Sequence, residues 1–149
     1  DRAAKFSGKV KDITEYLAKL GLVGKLGRID ARVTYQDACH LAHAQRITKQ
    51  PRDLLKQIPG VKLVEMAESA LCCGSAGIYN ITQPEQSAKL LERKLGNIAQ
   101  TRACAVATSN PGCHLQLANG LAAKAGSTCG KVTQPVTLLA EAYRNEELL

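Results

Sequence analysis

The chain has 149 residues, 45% of them apolar, which is enough for one domain with a single packed core. Its formal charge is +7, from 20 Lys and Arg against 13 Asp and Glu, so we expect its surface to meet an acidic partner or an anionic membrane. We do not expect nucleic-acid binding, because the basic residues are scattered and stacking side chains are scarce, with one Phe, four Tyr and no Trp.

The elements predicted from hydrophobic periodicity alternate between helix and strand. Residues 1–29 make a leading helical segment, in which Asp12 caps a helix and Gly21 ends it. After this segment the predicted elements are a strand at 32–36, helices at 39–50 and from Pro51, a strand at 61–66, a helix after Thr82, a strand at 103–108, a helix at 113–125, a strand around Val132 and a helix from Pro135.

One helix start carries a specific signal, a T-x-x-E capping box formed by Thr82 and Glu85 with Pro84 in the first turn. The apolar run at 103–108 (ACAVAT) predicts a strand that is covered on both faces. Strands that alternate with helices imply βαβ units and a parallel sheet. We therefore predict an α/β fold, a three-layer Rossmann-like domain over residues 1–149, with about four parallel strands and helices on both faces.

Six cysteines occur in a chain without an export signal and without the roughly 18 consecutive apolar residues that span a bilayer. We therefore expect a cytoplasmic protein, in which cysteines are more often buried, metal-bound or catalytic than disulfide-bonded. Four of the six lie in three loops, each after a predicted strand. Because ligands collect at the carboxyl ends of parallel strands, these loops are expected to meet. Their sequences are DACH at 37–40, CCG at 72–74 and NPGCH at 110–114.

The three loops favour thiolate chemistry, because each leads into a predicted helix whose first amides and dipole stabilise a thiolate. Gly74 and Gly77 allow close approach of the backbone and can donate N–H groups to sulfur. Four thiolates suffice for a [4Fe–4S] or [2Fe–2S] cluster or for zinc. Adjacent side chains point apart, which leaves open that one of the neighbouring cysteines faces the core. The candidate ligands are Cys39, Cys72, Cys73 and Cys113.

Other residues near these motifs are weaker candidates. His40 and His114 each follow a ligand cysteine and could coordinate or donate to sulfur, although a hydrogen bond to backbone at the helix start is favoured. Asp37 is expected to cap the following helix. Cys104 is expected to be buried packing inside its strand. Cys129, in a Gly-rich loop, is interpreted as incidental, with a fifth-ligand role as the alternative.

The order and spacing of the motifs resemble the CCG cysteine-rich domain family of heterodisulfide reductases and several respiratory oxidoreductases. That family has a Cys, a Cys-Cys-Gly and a C-x-x-C at wide spacings. Here 32 residues separate Cys39 from Cys72, and 36 separate Cys73 from Asn110, which stands at the first cysteine of C-x-x-C. The segments TYQDACHL, LLKQIPGVKLVE, CCGSAGIYN and ATSNPGCHLQL are most similar to glycolate oxidase iron–sulfur subunits.

The resemblance implies that the chain is the last domain of a longer iron–sulfur subunit, whose ferredoxin-type domain precedes it. Its thiolates would hold an iron–sulfur cluster, or zinc, and relay electrons toward quinone from a flavoprotein subunit that oxidises glycolate or a similar 2-hydroxy acid. The complex would work at the inner face of the cytoplasmic membrane, and this domain alone would not be catalytic.

Two other functions stay open on the same residues. One is a thiol or disulfide oxidoreductase of the heterodisulfide reductase type. The non-cubane cluster of that family uses five cysteines, so Asn110 counts against it. The other is a zinc-bound or metal-free domain that docks subunits together.

Overall fold

The computed structural model describes residues 1–124 and 129–146 and confirms the predicted α/β class. The strands are β1 (Ala31–Gln36), β2 (Val61–Val64), β3 (Ala105–Thr108) and β4 (Lys131–Thr133). They form one parallel sheet in the order β2-β1-β3-β4. The chain passes from β1 to β2 on one side and then to β3 on the other, so the loops after β1 and β3 diverge. Such a switch point opens a crevice at the carboxyl edge of the sheet.

The helices lie between the strands and before the first of them. A π-helical turn at His40–Gln45 directly follows β1, and π-helices are rare outside functional sites. In the described part of the chain, no helix is both long enough and apolar enough to cross a membrane. The α-helices are α1 (Arg2–Ser7), α2 (Ile13–Leu20), α3 (Lys49–Lys56), α4 (Tyr79–Thr82), α5 (Pro84–Gln100), α6 (Pro111–Ala123) and α7 (Pro135–Glu146).

Each face of the sheet has its own buried core, as the predicted three layers require. On one face Val33 and Tyr35 of β1 pack against α3 and α7. On the other, Val106 of β3 packs against Leu95 of α5 and Leu117 of α6. Successive side chains of a strand point to opposite faces, so a strand covered on both sides is buried along its whole length, as β3 is.

The leading segment differs in part from the prediction. Asp12 caps α2 as expected, because its side chain accepts a hydrogen bond from the Thr14 N–H at 2.9 Å. The apolar side chains along one face of α2 are only partly buried. Leu17 packs on the core, whereas Ile13 and Leu20 are half or more exposed. The reason is that α2 lies outside the three layers and touches them along one edge.

The predicted capping box is absent at the start of α5. Gln83 precedes the helix without a side-chain cap, and Pro84 occupies the first turn as expected. Thr82 instead ends α4, where its hydroxyl donates to the Ile78 carbonyl at 3.3 Å. The prediction was wrong because the loop before α5 forms a helical turn of its own, which uses this threonine.

Two leucines of α6 provide a test of the packing. We expect Leu117→Ala to lower the free energy of unfolding by about 2–5 kcal/mol, because this fully buried side chain would leave a cavity. Leu115→Ala is the control and should change it by less than about 0.5 kcal/mol, because this side chain is 64% exposed. Urea unfolding measures both, and similar losses would contradict the assignment of the core.

Candidate metal centre

The four candidate ligand cysteines lie at the carboxyl edge of the sheet, as predicted. Cys39 directly follows the loop after β1, Cys72 and Cys73 lie in the loop after β2, and Cys113 lies in the first turn of α6. A cavity of about 390 Å³ opens between the three loops at the switch point. Its lining is Cys39, His40, Cys72, Ser75, Ala76, Gly77, Asn110, Gly112 and Cys113.

Cys73 faces the core beneath this cavity and contacts the third loop. Its side chain is 1% exposed, and Cys113 is 6% exposed. The Cys113 thiol donates a hydrogen bond to the Cys73 sulfur, which lowers the pKa of Cys73 to about 6. The same bond, together with burial, raises the pKa of Cys113. The two buried sulfurs are therefore joined by a hydrogen bond that favours the thiolate form of Cys73.

Cys72 points the other way, into the cavity, and is partly exposed. The Gly74 N–H donates to its sulfur at 3.3 Å, as the sequence predicted for this glycine. Burial raises the pKa of Cys72, and the Gly74 N–H opposes that rise. The expected lowering of the thiol pKa by a helix start is therefore wrong for Cys72. The helix that follows Cys72, α4, has only four residues and begins several positions later.

Gly74 is required by two features of its loop. Its φ of +95° lies in the left-handed region. A Cβ there would approach the Ser87 carbonyl oxygen to 2.5 Å, and the Ser87 hydroxyl donates to the Gly74 carbonyl at 2.8 Å. The Cys-Cys-Gly loop is thus seated directly on α5.

Asn110, which stands where the family has a cysteine, joins the first and third loops. Its Oδ1 accepts the Cys113 N–H at 3.0 Å and caps α6. Its Nδ2 then faces His40 and donates to Nε2 at 3.0 Å, so His40 bonds a side chain and not the backbone as favoured. His114 is partly buried on α6, and its Nδ1 has no hydrogen-bond partner among residues 1–124 and 129–146.

Asp37 anchors the first loop to the second and does not cap a helix as expected. Its buried carboxylate receives both terminal nitrogens of Arg52, at 2.7 and 2.8 Å. The Arg52 Nε donates to Glu65 at 2.9 Å, and the Asp37 N–H donates to the Ser69 carbonyl at 3.1 Å. These carboxylates raise the pKa of Arg52. Sequence reasoning missed Arg52, because no local motif links it to an aspartate 15 positions earlier.

Cys104 and Cys129 lie at the opposite, amino edge of the sheet. Cys104 is exposed, and its thiol donates to the Arg32 carbonyl at 3.2 Å, so the prediction of buried packing is wrong. The reason is that β3 begins at Ala105, two residues after the predicted start at 103, and leaves Cys104 outside the strand. Cys129 precedes β4 and is buried against α6, which makes it core packing and removes it from the candidate ligands.

The four remaining cysteines fit an iron–sulfur cluster by their chemistry and placement. They are free thiols on three loops, and small residues keep the space between them open. A Cβ on Gly112 would come within 3.1 Å of the Asn110 and Ser75 oxygens, so glycine keeps this side clear. In the described part of the chain, no three His, Cys, Asp or Glu side chains are positioned to hold a single metal ion.

Comparison with known proteins identifies one domain family and relatives that are named as oxidase and reductase subunits. The family model for the CCG cysteine-rich domain matches residues 33–118. The "Probable glycolate oxidase iron-sulfur subunit" of Bacillus subtilis (strain 168) is 42% identical over 123 residues, 81% of this chain and 28% of that protein. A subunit of the fumarate reductase (CoM/CoB) of Methanothermobacter marburgensis is 36% identical over 137 residues, 92% of this chain and 28% of that protein. The chain therefore spans less than a third of the length of either relative.

Replacing Gly74 should disturb the Cys-Cys-Gly loop more than replacing Gly77. Both have positive φ, so alanine at either should cost about 1–2 kcal/mol of unfolding free energy. Gly74→Ala should cost clearly more, because its Cβ would collide with the Ser87 backbone, whereas Gly77 has open space. Urea unfolding of both variants checks this, and equal losses would contradict the seating of the loop on α5.

Breaking the pair between Asp37 and Arg52 should destabilise the protein strongly. Arg52→Met would leave a buried carboxylate without its partner, at a cost of about 3–5 kcal/mol in unfolding free energy. Arg93→Met is the matched control, because Arg93 makes an exposed pair with Glu68 worth about 0–1 kcal/mol. Thermal or urea unfolding of the two variants compares them. A loss for Arg52→Met as small as for Arg93→Met would show that the buried pair does not hold the loops.

Proposed function

This chain belongs to the CCG cysteine-rich domain family, and we propose that it is the electron-transfer domain of an iron–sulfur subunit. Cys39, Cys72, Cys73 and Cys113 would bind the cluster, which when bound supplies one-electron redox chemistry. The observation that supports this best is the convergence of these thiols at the switch point of the sheet, where Cys39, Cys72 and Cys113 line one cavity and Cys73 lies beneath it against Cys113. Thiols that surround a cavity suit a cluster, whose cysteines bind different iron atoms.

The surrounding residues support a distinct role for each side of the site. Cys73 and Cys113 are buried, which keeps water from the inner side, and the lowered pKa of Cys73 favours the thiolate form that binds metal. The Gly74 N–H on the Cys72 sulfur is the kind of hydrogen bond that tunes the potential of such centres. Cys39 and Cys72 are partly exposed, so a redox partner could approach from the outer side.

The function of the whole subunit extends this proposal. A relative of this chain is named as a glycolate oxidase iron–sulfur subunit, and the chain spans 28% of it. We infer that residues 1–149 form one domain of a longer subunit with ferredoxin-type domains. The subunit would relay electrons from a flavoprotein that oxidises a 2-hydroxy acid such as glycolate toward quinone, at the inner face of the cytoplasmic membrane. The domain alone would bind and position the centre without catalysing the oxidation.

A thiol or disulfide oxidoreductase is the second candidate, and one observation favours it. Cys73 and Cys113 are buried free thiols that hydrogen-bond to each other, which is the composition of a redox-active dithiol. Asn110 counts against the five-cysteine cluster of that family. It stands at the position of the fifth cysteine, and its side-chain oxygen and nitrogen already cap α6 and bind His40. We therefore prefer a relay through four thiolates.

Iron and sulfide content of protein purified without oxygen tests the proposed function. In the protein without substitutions we expect iron, a matching amount of sulfide and a broad visible absorption. Cys113→Ser should lose most of the iron, because serine replaces a ligand thiolate. Cys104→Ser is the matched control and should keep the iron, because Cys104 lies at the opposite edge of the sheet.

Other outcomes would separate the alternatives. Zinc alone, or no metal in the absence of oxygen, would favour the docking domain. A protein without metal that cycles between a Cys73–Cys113 disulfide and two thiols would favour the oxidoreductase. Equal loss of iron from Cys104→Ser and Cys113→Ser would contradict the ligand assignment.

A further inference from the structure

Lys94 is a fully buried lysine, with 0% of its surface exposed, and it is not among the candidate ligands. It lies on α5, next to Leu95 of the core. Its Nζ donates to two carbonyl oxygens of the loop before Cys72, those of Glu68 at 2.5 Å and Ser69 at 3.2 Å. A buried ammonium group therefore lies behind the Cys-Cys-Gly loop, on the side away from solvent.

The two carbonyl groups that Lys94 contacts already accept hydrogen bonds from backbone N–H groups. The Glu68 carbonyl also accepts the Leu71 N–H at 2.9 Å, and the Ser69 carbonyl accepts the Asp37 N–H at 3.1 Å. The Glu68 side chain is held by Arg93 and by Asn97. Replacing the ammonium group would thus leave neither carbonyl without a donor. The hydrogen-bonding needs of the loop backbone therefore do not explain why a charged side chain is buried here.

The buried charge is also unfavourable for folding. Desolvation lowers the pKa of Lys94 to about 8, and the charge of Cys73 is the largest influence that opposes this shift. The nearest carboxylates have other partners, since Asp37 binds Arg52 and Glu68 binds Arg93. Within residues 1–124 and 129–146, Lys94 has no carboxylate at ion-pair distance. The ammonium group is held against the loop that leads to Cys72 and Cys73, and its Ser69 partner also contacts Asp37 of the first loop. The charge that it can balance there is that of the ligand cysteines, which are anionic when they bind metal.

We propose that Lys94 is a positioning residue of the iron–sulfur site, whose buried positive charge compensates the thiolates and favours the reduced state. This inference rests on the proposed function. Reduction adds one electron, supplied by dithionite in a redox titration, and makes the site more negative by one charge. No bond forms or breaks, and no proton is transferred. A fixed positive charge stabilises the more negative state, so it raises the reduction potential.

The first test is the midpoint potential of the cluster-loaded protein, measured by redox titration of the visible spectrum. Lys94→Met keeps the length and removes the charge, and we expect a more negative potential. A tenfold change in the one-electron equilibrium corresponds to about 59 mV. Lys94→Arg should restore the potential, because it keeps the charge. Lys89→Met removes a charge from an exposed position of the same helix and should leave the potential unchanged.

The second test needs no cluster. It distinguishes an effect of the Lys94 charge from a role in which the side chain only holds the loop in place. In reduced, metal-free protein, iodoacetamide alkylation of Cys72, the partly exposed thiol of the adjacent pair, is followed by mass spectrometry at one fixed pH, where the rate is proportional to the fraction of Cys72 in the thiolate form. Loss of the charge should slow alkylation relative to the parent and Lys89→Met, because the thiolate is the reactive form. If Lys94 only held the loop in place, its replacement would loosen the loop and accelerate alkylation.

The two tests distinguish failure of this inference from failure of the proposed function. If the parent binds no cluster, the function fails, and alkylation still decides the role of Lys94. Faster or unchanged alkylation in folded Lys94→Met would overturn the inference. An unchanged potential in a cluster-loaded Lys94→Met protein would overturn it too. If Lys94→Met does not fold, Lys94→Gln, which keeps a donor without the charge, takes its place in both measurements.

Discussion

The bidentate ion pair between Asp37 and Arg52 is the interaction on which the candidate site depends. It joins the end of β1 to α3, and Arg52 extends it to Glu65 after β2. Because the pair is buried, its strength comes from satisfied hydrogen bonds and not from charge alone. The first and second cysteine loops are therefore held at a set separation before any ligand binds.

The site is arranged around a balance of buried charge. On one side are the ligand thiols, among which the hydrogen bond from Cys113 lowers the pKa of Cys73. Behind them lies the Lys94 ammonium group, at a cost in desolvation. In a low-dielectric interior each charge makes the other less unfavourable. A core built only for stability would use apolar side chains at both positions, so this arrangement is typical of a functional site.

Asn110 shows how one substitution can change a motif without opening the loop. It caps α6 and binds His40, so the third loop stays attached to the first although the family cysteine is missing. An asparagine is well suited to this, because its oxygen accepts from the helix while its nitrogen donates elsewhere. Cys39, Cys72 and Cys113 still line a common cavity.

The sequence by itself determined the α/β class, the order of strands and helices along the chain, and the edge at which the four candidate ligand cysteines meet. Hydrophobic periodicity identifies the elements, and in a parallel sheet the loops that follow the strands share one edge. The Cys-Cys-Gly motif also predicted the donation from Gly74 to sulfur. Only the tertiary structure decided which of the adjacent cysteines is buried, that Cys104 is exposed and that Asp37 binds Arg52. Those outcomes depend on contacts between residues far apart in the chain. Burial of Lys94 belongs with them, since a lysine beside an apolar helical stripe is predicted to face solvent unless the packed loop covers it.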